Sequence, residues 1–195
     1  MRRGPLLAGV VGLGALFVIG FYVTTGHKGT GAKGPEVGSQ MPPFAAPLAL
    51  SALNGDVNLS PSACSVQIAG AFTSCAPLKK GPLVLAFVTV SDRQCSAIAG
   101  SLSVLRQRLP GSTVVLVGLR GGRRELARLA LRVPDVTSIW DRDGALATRY
   151  GIAVCPTVVV GARGGQVRGT LIGSSVDRPG WLVRNVNALL DRPTR

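Results

Sequence analysis

The chain has 195 residues, 46% of them apolar and 16% charged, which excludes disorder along its whole length and allows one domain with additions. The net charge is +13, yet the arginines are scattered and aromatics make up 5%, so the basic stripe with neighbouring aromatics that nucleic-acid binding requires is missing. The bias toward Arg, Ala, Gly, Val and Leu reads as the coding signature of a GC-rich genome, and no nucleic-acid partner is expected.

Arg2 and Arg3 precede an uncharged apolar run over residues 5–25. As a helix rising 1.5 Å per residue, this run would measure about 30 Å, the thickness of a bilayer core. A cleaved signal peptide has a shorter apolar region and a small-x-small site, and no clear Ala-x-Ala follows here. The expectation is one N-terminal transmembrane signal anchor, with residues 1–4 cytoplasmic and the rest of the chain outside the cell membrane. Lys28 and Lys33 on the far side argue weakly against that orientation. The spacing of Ala8 and Gly12 is too common in such helices to specify a dimer, and the oligomeric state is left open. Residues 26–36, rich in Gly, read as a tether. The folded domain is expected to occupy 37–195.

Asn54, Gly55 and Asp56 lie between short apolar pieces and suggest a small hairpin. Residues 61–81 match neither the helical nor the strand period and read as an inserted loop. The unbroken apolar run over 82–90 suits a strand buried on both faces. A helix follows, with Ile98, Leu102, Leu105 and Leu109 on one side, stopped by Pro110 and Gly111. Residues 112–119 form a second buried strand, and 123–133 a short helix with Leu126 and Leu129 inward. A weaker strand over 136–141, a helical turn beginning near Gly144, and a hairpin turned by Gly164 and Gly165 come next. The last helix is expected to be capped by Asp177, to carry Pro179 in its first turn, and to bury Leu182, Val186 and Leu189. Alternating strands and helices imply an α/β fold with a central sheet between helical layers.

The single histidine, His27, lies in the tether, which removes every Ser-His-Asp or Cys-His arrangement from the domain. The only glutamates are Glu36 and Glu125, a poor basis for a carboxylate-pair hydrolase. The stretch Asp141 to Gly144 begins like a calcium loop but lacks the later ligands, so it reads as a turn before a helix. No metal and no cofactor is expected.

Four cysteines remain: Cys64, Cys75, Cys95 and Cys155. They allow three pairings, and Cys64 with Cys75, both in the expected loop, is the simple local staple. Cys95 lies in the first turn of a helix, where unpaired N–H groups favour a thiolate. Arg93 acts in the same direction and Asp92 opposes it. Asp92 itself reads either as the helix N-cap or as a catalytic carboxylate. Cys155 precedes Pro156, which forces extended backbone and permits a cis bond.

The segment from Asp141 to Gly173, with its Asp-x-Asp-Gly, its Tyr-Gly-Ile, its Cys155-Pro156-Thr157 and its glycine turn, resembles the second half of a thioredoxin-like redoxin. Residues 81–97 resemble that family's strand and active-site helix, and 37–60 its N-terminal hairpin. The likeness runs from Val37 to the C-terminus. It points to the membrane-anchored TlpA-like branch of the alkyl hydroperoxide reductase/thiol-specific antioxidant superfamily. It implies a thioredoxin-like fold with a mixed sheet flanked by helices.

One departure bears on function. Where that family carries Trp-Cys-x-x-Cys, this chain reads Ser91-Asp92-Arg93-Gln94-Cys95, so the first, attacking cysteine is replaced by Asp92. In the family fold the residue before the cis-proline lies against the active-site turn. The resemblance thus implies that Cys95 and Cys155 can pair, with Pro156 shaping a substrate groove. The alternative pairs Cys64 or Cys75 with Cys95.

The expected function is thiol–disulfide exchange on exported protein thiols or disulfides. A redox-inactive binding or chaperone-like module with structural disulfides is the alternative. A peroxiredoxin-like thiol peroxidase is a third reading. That branch has Pro-x-x-x-Thr-x-x-Cys, whereas Val88 and Asp92 stand at the Pro and Thr positions, and the needed arginine would be Arg93, Arg149 or Arg168.

Overall fold

The computed structural model describes residues 34–65 and 67–192. The expected cytoplasmic N-terminus, the membrane anchor at 5–25 and most of the tether lie outside the described residues. Among the described residues, no helix is long and apolar enough to cross a membrane.

The central element is β3, Leu83–Thr89, whose residues Leu83 to Val88 are all fully buried. Side chains alternate across a strand, so the apolar run divides between two cores. Val84, Ala86 and Val88 face one core; Leu83, Leu85 and Phe87 face the other. Each large apolar side chain removed from water contributes roughly 1.5–3 kcal/mol. A strand of this composition is therefore stable only with cover on both faces.

Parallel neighbours β4, Thr113–Leu119, and β5, Thr137–Asp141, extend the sheet on one side. On the other side, β6, Thr157–Gly161, and β7, Val167–Ile172, run antiparallel. The mixed five-stranded order is β5-β4-β3-β6-β7. The β6–β7 turn has Gly164 at φ +86° and Gly165 at φ +92°, the left-handed conformation that glycine adopts without a side-chain clash.

The first core is covered by α3, Ile98–Arg108, through Ile98, Leu102 and Leu105, and by α6, Pro179–Leu190, through Leu182, Val186 and Leu189. Helix α4, Arg123–Arg132, adds Leu126, Leu129 and Ala130. A short helix, α2, Arg93–Ser96, leads into α3. The second core is covered by α5, Ala145–Arg149, and by α1, Cys75–Lys80, with the N-terminal segment. Within it, the Tyr150 ring packs on Phe87 at 5.7 Å and edge-on to Phe44 at 6.3 Å. Its hydroxyl donates to the Pro42 carbonyl at 3.0 Å, and burial pushes the phenol pKa well above its ordinary value.

The N-terminal segment differs from the expected hairpin. Ala45 makes only a single bridge to Asn58 across the Asn54 turn. The strand partner of β1, Ala45–Pro47, is β2, Ala71–Thr73, inside the segment expected to be an inserted loop. That segment also holds a 3-10 turn at Pro61–Ser65 and helix α1. A Cys64–Cys75 disulfide and the packing of Phe72 on Phe44 at 5.9 Å bring it back onto β1. These are tertiary contacts, which periodicity does not register.

The same N-terminal segment shields both outer strands. Gly38 and Met41 donate to the Val167 and Gly165 carbonyls beside β7, and Ala49 donates to Ser138 of β5. Open strand edges invite pairing with other chains, and these bonds occupy part of each. Arg123 fastens the loop that follows, donating to the carbonyls of Leu53 at 2.6 Å and Leu48 at 3.2 Å while lying 5.4 Å above the Trp140 ring.

Asp177 is not the cap of the last helix. It ends a separate 3-10 turn, Ser174–Asp177, and Arg178 takes the N-cap position without a side-chain cap, directly before Pro179. The Asp141–Gly144 segment forms a turn before a helix, and no cluster able to hold a metal ion occurs among the described residues. Asp141 is fully buried and accepts from the N–H groups of Leu146 at 3.1 Å and Ala147 at 2.9 Å. Burial outweighs those bonds and holds its carboxyl above the ordinary value.

Two predictions follow from this packing. A β-carbon on Gly118 would stand 2.6 Å and 2.8 Å from the two methyl carbons of the fully buried Leu126. Gly118→Ala should lower unfolding stability by about 1–3 kcal/mol in urea titrations, because α4 must retreat from β4. For Asp141, a raised native pKa means that the folded chain holds the proton more firmly than the unfolded chain. Its contribution is complete below the unfolded value and is lost as pH rises through the native value. The stability of wild type minus Asp141→Asn should therefore fall as pH rises through and above the ordinary carboxylate range. A difference that grew over that range would mean that the two N–H donors dominate.

Candidate active site

Strand β3 extends past its antiparallel partner. The last register pair between β3 and β6 is Phe87 with Thr157, whereas pairing with β4 continues to Thr89. The Thr89 N–H donates instead to sulfur, lying 3.0 Å from Cys95 Sγ and 3.0 Å from Cys155 Sγ. The two sulfurs are bonded to each other, with the Cα atoms 5.6 Å apart, a normal separation for a disulfide.

Cys95 is held by α2. Asp92 sits at the N-cap with extended backbone, and its carboxylate accepts from the Gln94 N–H at 2.8 Å and the Cys95 N–H at 3.2 Å. Such a cap contributes roughly 1 kcal/mol and orients the first turn. Asp92 thus acts as a cap here, the first of its two sequence readings. Cys95 is 2% exposed and packs in the core with Ile98 and Val88.

Cys155 is held by the loop into β6. The Cys155–Pro156 bond is cis. Thr157 Oγ1 donates to the Val154 carbonyl at 2.6 Å, and the Gly173 N–H donates to the Pro156 carbonyl at 3.1 Å. Pro156 is buried and Cys155 half-buried. The Phe87 carbonyl lies 3.8 Å from Cys155 Sγ, placed to accept a thiol proton once the bond is reduced.

Cys155, and not Cys95, lines a cleft of about 310 Å³. Thr89, Leu119 and Gly144 place it at the carboxyl ends of the three parallel strands, where ligands of open α/β sheets commonly sit. Thr148 and Ile152 form another wall, and Arg120 contributes a cation. Arg120 has φ +36°, the only non-glycine residue in the left-handed region among the described residues. Sequence reasoning passed over it. Its signal was a basic residue directly after a buried strand and before two glycines.

The structure brings Asp92, Cys95, Cys155 and Pro156 together and leaves Cys64 and Cys75 bonded to each other elsewhere. The alternative pairing of Cys95 with Cys64 or Cys75 is not formed. Of the three arginines considered for peroxide activation, Arg168 lies at the far end of β7, donating to the Arg192 carbonyl at 3.1 Å, whereas Ile172 of that strand pairs beside Cys155. Arg93 and Arg149 are exposed and do not line the cleft. Chemically, the site offers a half-exposed disulfide that a thiolate can open at Cys155, with one backbone N–H placed to stabilise negative charge on either sulfur.

No family model matches the chain, and no curated protein matches it. Solved structures do. A secreted disulfide oxidoreductase of Mycobacterium tuberculosis, homologous to E. coli DsbE, superposes with a TM-score of 0.58 at 22% identity, over 74% of this chain and 95% of that one. The thioredoxin domain of a thiol-disulfide oxidoreductase from Bacteroides vulgatus gives 0.57 at 12% identity, over 80% and 99%. Peroxidoxin BcpB from Mycobacterium tuberculosis gives 0.57 at 16%, over 79% and 96%. At these identities the likeness establishes the fold: the domain of this chain is thioredoxin-like.

Proposed function

We propose that this protein is a membrane-anchored thiol–disulfide oxidoreductase acting outside the cytoplasm, with Cys95 and Cys155 as its redox pair. The observation that carries the reading is the placement of that disulfide. It lies half-buried on a cleft at the carboxyl ends of the parallel strands, and a single N–H donates to both sulfurs. A purely structural bond has no need of a cleft at its sulfur. The substrates are the thiols or disulfides of exported proteins, and the N-terminal apolar segment keeps the domain at the membrane.

The pair replaces the usual Cys-x-x-Cys by dividing the two sulfurs between the active-site helix and the cis-proline loop. Asp92 stands where the first cysteine would be and caps the helix instead. Exchange then proceeds through a mixed disulfide on one of the two cysteines, resolved by the other. The peroxidatic reading loses ground, because Val88 and Asp92 occupy its motif positions and Cys95, which stands at the peroxidatic position, is buried and does not line the cleft that holds Arg120.

The reduction potential of the Cys95–Cys155 pair tests the proposal. A value between about −120 and −270 mV is expected, the range of exchange catalysts. A bond that resists reduction below about −300 mV would identify it as structural and favour the binding-module reading. Cys95→Ser and Cys155→Ser should each abolish catalysed exchange with a disulfide-bonded protein substrate, followed by thiol trapping. Undiminished exchange in either variant would refute the assignment.

A further inference from the structure

The cleft beside Cys155 has a chemical character of its own. Its volume of about 310 Å³ is at the small end of the range for small-molecule sites. Its walls mix the apolar Leu119 and Ile152 with the hydroxyls of Thr89 and Thr148, and Arg120 is the only charged residue lining it. The Arg120 side chain lies over the Gly144 turn, with Nε 3.9 Å from where a β-carbon on that residue would stand. Arg120 forms no ion pair among the described residues, where the one salt bridge joins Arg142 to Asp56. The carboxylates at the end of β5 are engaged locally: Asp141 by the N–H groups of Leu146 and Ala147, and Asp143 by that of Ala145. Arg120 is also held in backbone that L-residues adopt at a cost, although glycines follow it immediately.

A half-buried sulfur, a cleft of small-molecule size and an exposed guanidinium with no ion pair among the described residues occur together at one place. We propose that this cleft binds a low-molecular-weight thiol bearing a carboxylate, which pairs with Arg120 while the thiol exchanges with Cys155. The proposal rests on the reading of Cys95–Cys155 as a redox pair and adds its small-molecule partner and the polarity of attack. The incoming thiolate forms a bond to Cys155 Sγ. The Cys95–Cys155 bond breaks, and Cys95 Sγ leaves with the electron pair as a thiolate beside the Thr89 N–H. A second molecule of the thiol attacks the first at its sulfur, releasing the small-molecule disulfide and a Cys155 thiolate. Two thiols are oxidised and one protein disulfide is reduced; the reverse sequence oxidises the domain. Cys95, 2% exposed, is the leaving sulfur in reduction and the resolving sulfur in the reverse direction, and Cys155 carries the mixed disulfide in both. This assigns the attacked position to the cis-proline loop, not to the helix.

The test measures reduction of the full-length protein by 3-mercaptopropionate, 2-mercaptoethanol and cysteamine, with rates expressed per thiolate and divided by each reagent's rate with a small uncharged disulfide, which removes the dependence of nucleophilicity on thiol pKa. The expected order is anion, then neutral thiol, then cation. Arg120→Gln should reduce the anion-to-neutral rate ratio by about two- to fivefold, the effect of one exposed ion pair. Arg120→Lys should retain part of the ratio, and added salt should diminish it in the wild type. Peptide mapping after acid quench should find the adduct on Cys155. Equal per-thiolate rates for the three reagents, a ratio insensitive to Arg120→Gln, or an adduct on Cys95 would overturn the proposal while leaving thiol exchange intact. So would an Arg120 dependence seen only with a short peptide carrying Cys-Asp, which would make the anion a protein side chain. Failure of every thiol to open the bond would overturn the redox pair itself and this proposal with it.

Discussion

The burial of β3 on both faces is the constraint from which the rest of the domain follows. Its alternating side chains feed two separate cores, so helices must cover the sheet on each side. The crossovers through α3 and α4, both packed on the first core, make β3, β4 and β5 parallel and align their carboxyl ends along one edge, while α1, α5 and the N-terminal segment cover the second face. The apolar run stops at Val90, and the chain must turn there into α2. Because β6 stops pairing two residues earlier, the Thr89 N–H is left to sulfur. The Cys95–Cys155 disulfide thus occupies the point where the hydrogen-bond ladder of the central strand opens.

That position gives the two sulfurs unequal roles. Cys95 belongs to the core, fixed by a capped helix start, and is shielded from any incoming group. Cys155 sits on a loop that is tied at Val154 and Pro156 but open on one side to a cleft. Nucleophilic attack on a disulfide requires access to one sulfur and a leaving sulfur whose negative charge is stabilised. The arrangement supplies the first at Cys155 and the second at Cys95. Asp92 caps the helix that carries Cys95, and the sulfur bonded to Cys95 comes from the cis-proline loop.

Much of this was legible in the chain. The buried central strands were visible as apolar runs of strand length, and the helix faces as Ile98, Leu102 and Leu105 or Leu182, Val186 and Leu189. The cap at Asp92 and the turn at Gly164 and Gly165 follow from local chemistry that any three or four neighbouring residues express. The region 45–81 was less legible. Its strand partner and its helix depend on Phe72 meeting Phe44 and on a disulfide closing the loop, and neither has a local signature. The cap expected at Asp177 failed for a related reason. The chain makes a 3-10 turn first, and the Asp177 carbonyl is taken by the hydroxyl of Ser101, distant in sequence.

The sequence by itself determined the α/β order, the two-faced burial of the central strands, the helix start at Asp92 and the presence of Cys155 before a proline. These properties are written in short-range periodicity and in the conformational limits of single residues. Only the tertiary structure decided that Cys95 pairs with Cys155, that one is closed to solvent and the other open, and that Arg120 stands beside the open one. Those facts depend on how strands far apart in the chain are set in register, because register places side chains from β3, β4 and the loop before β6 around one cleft.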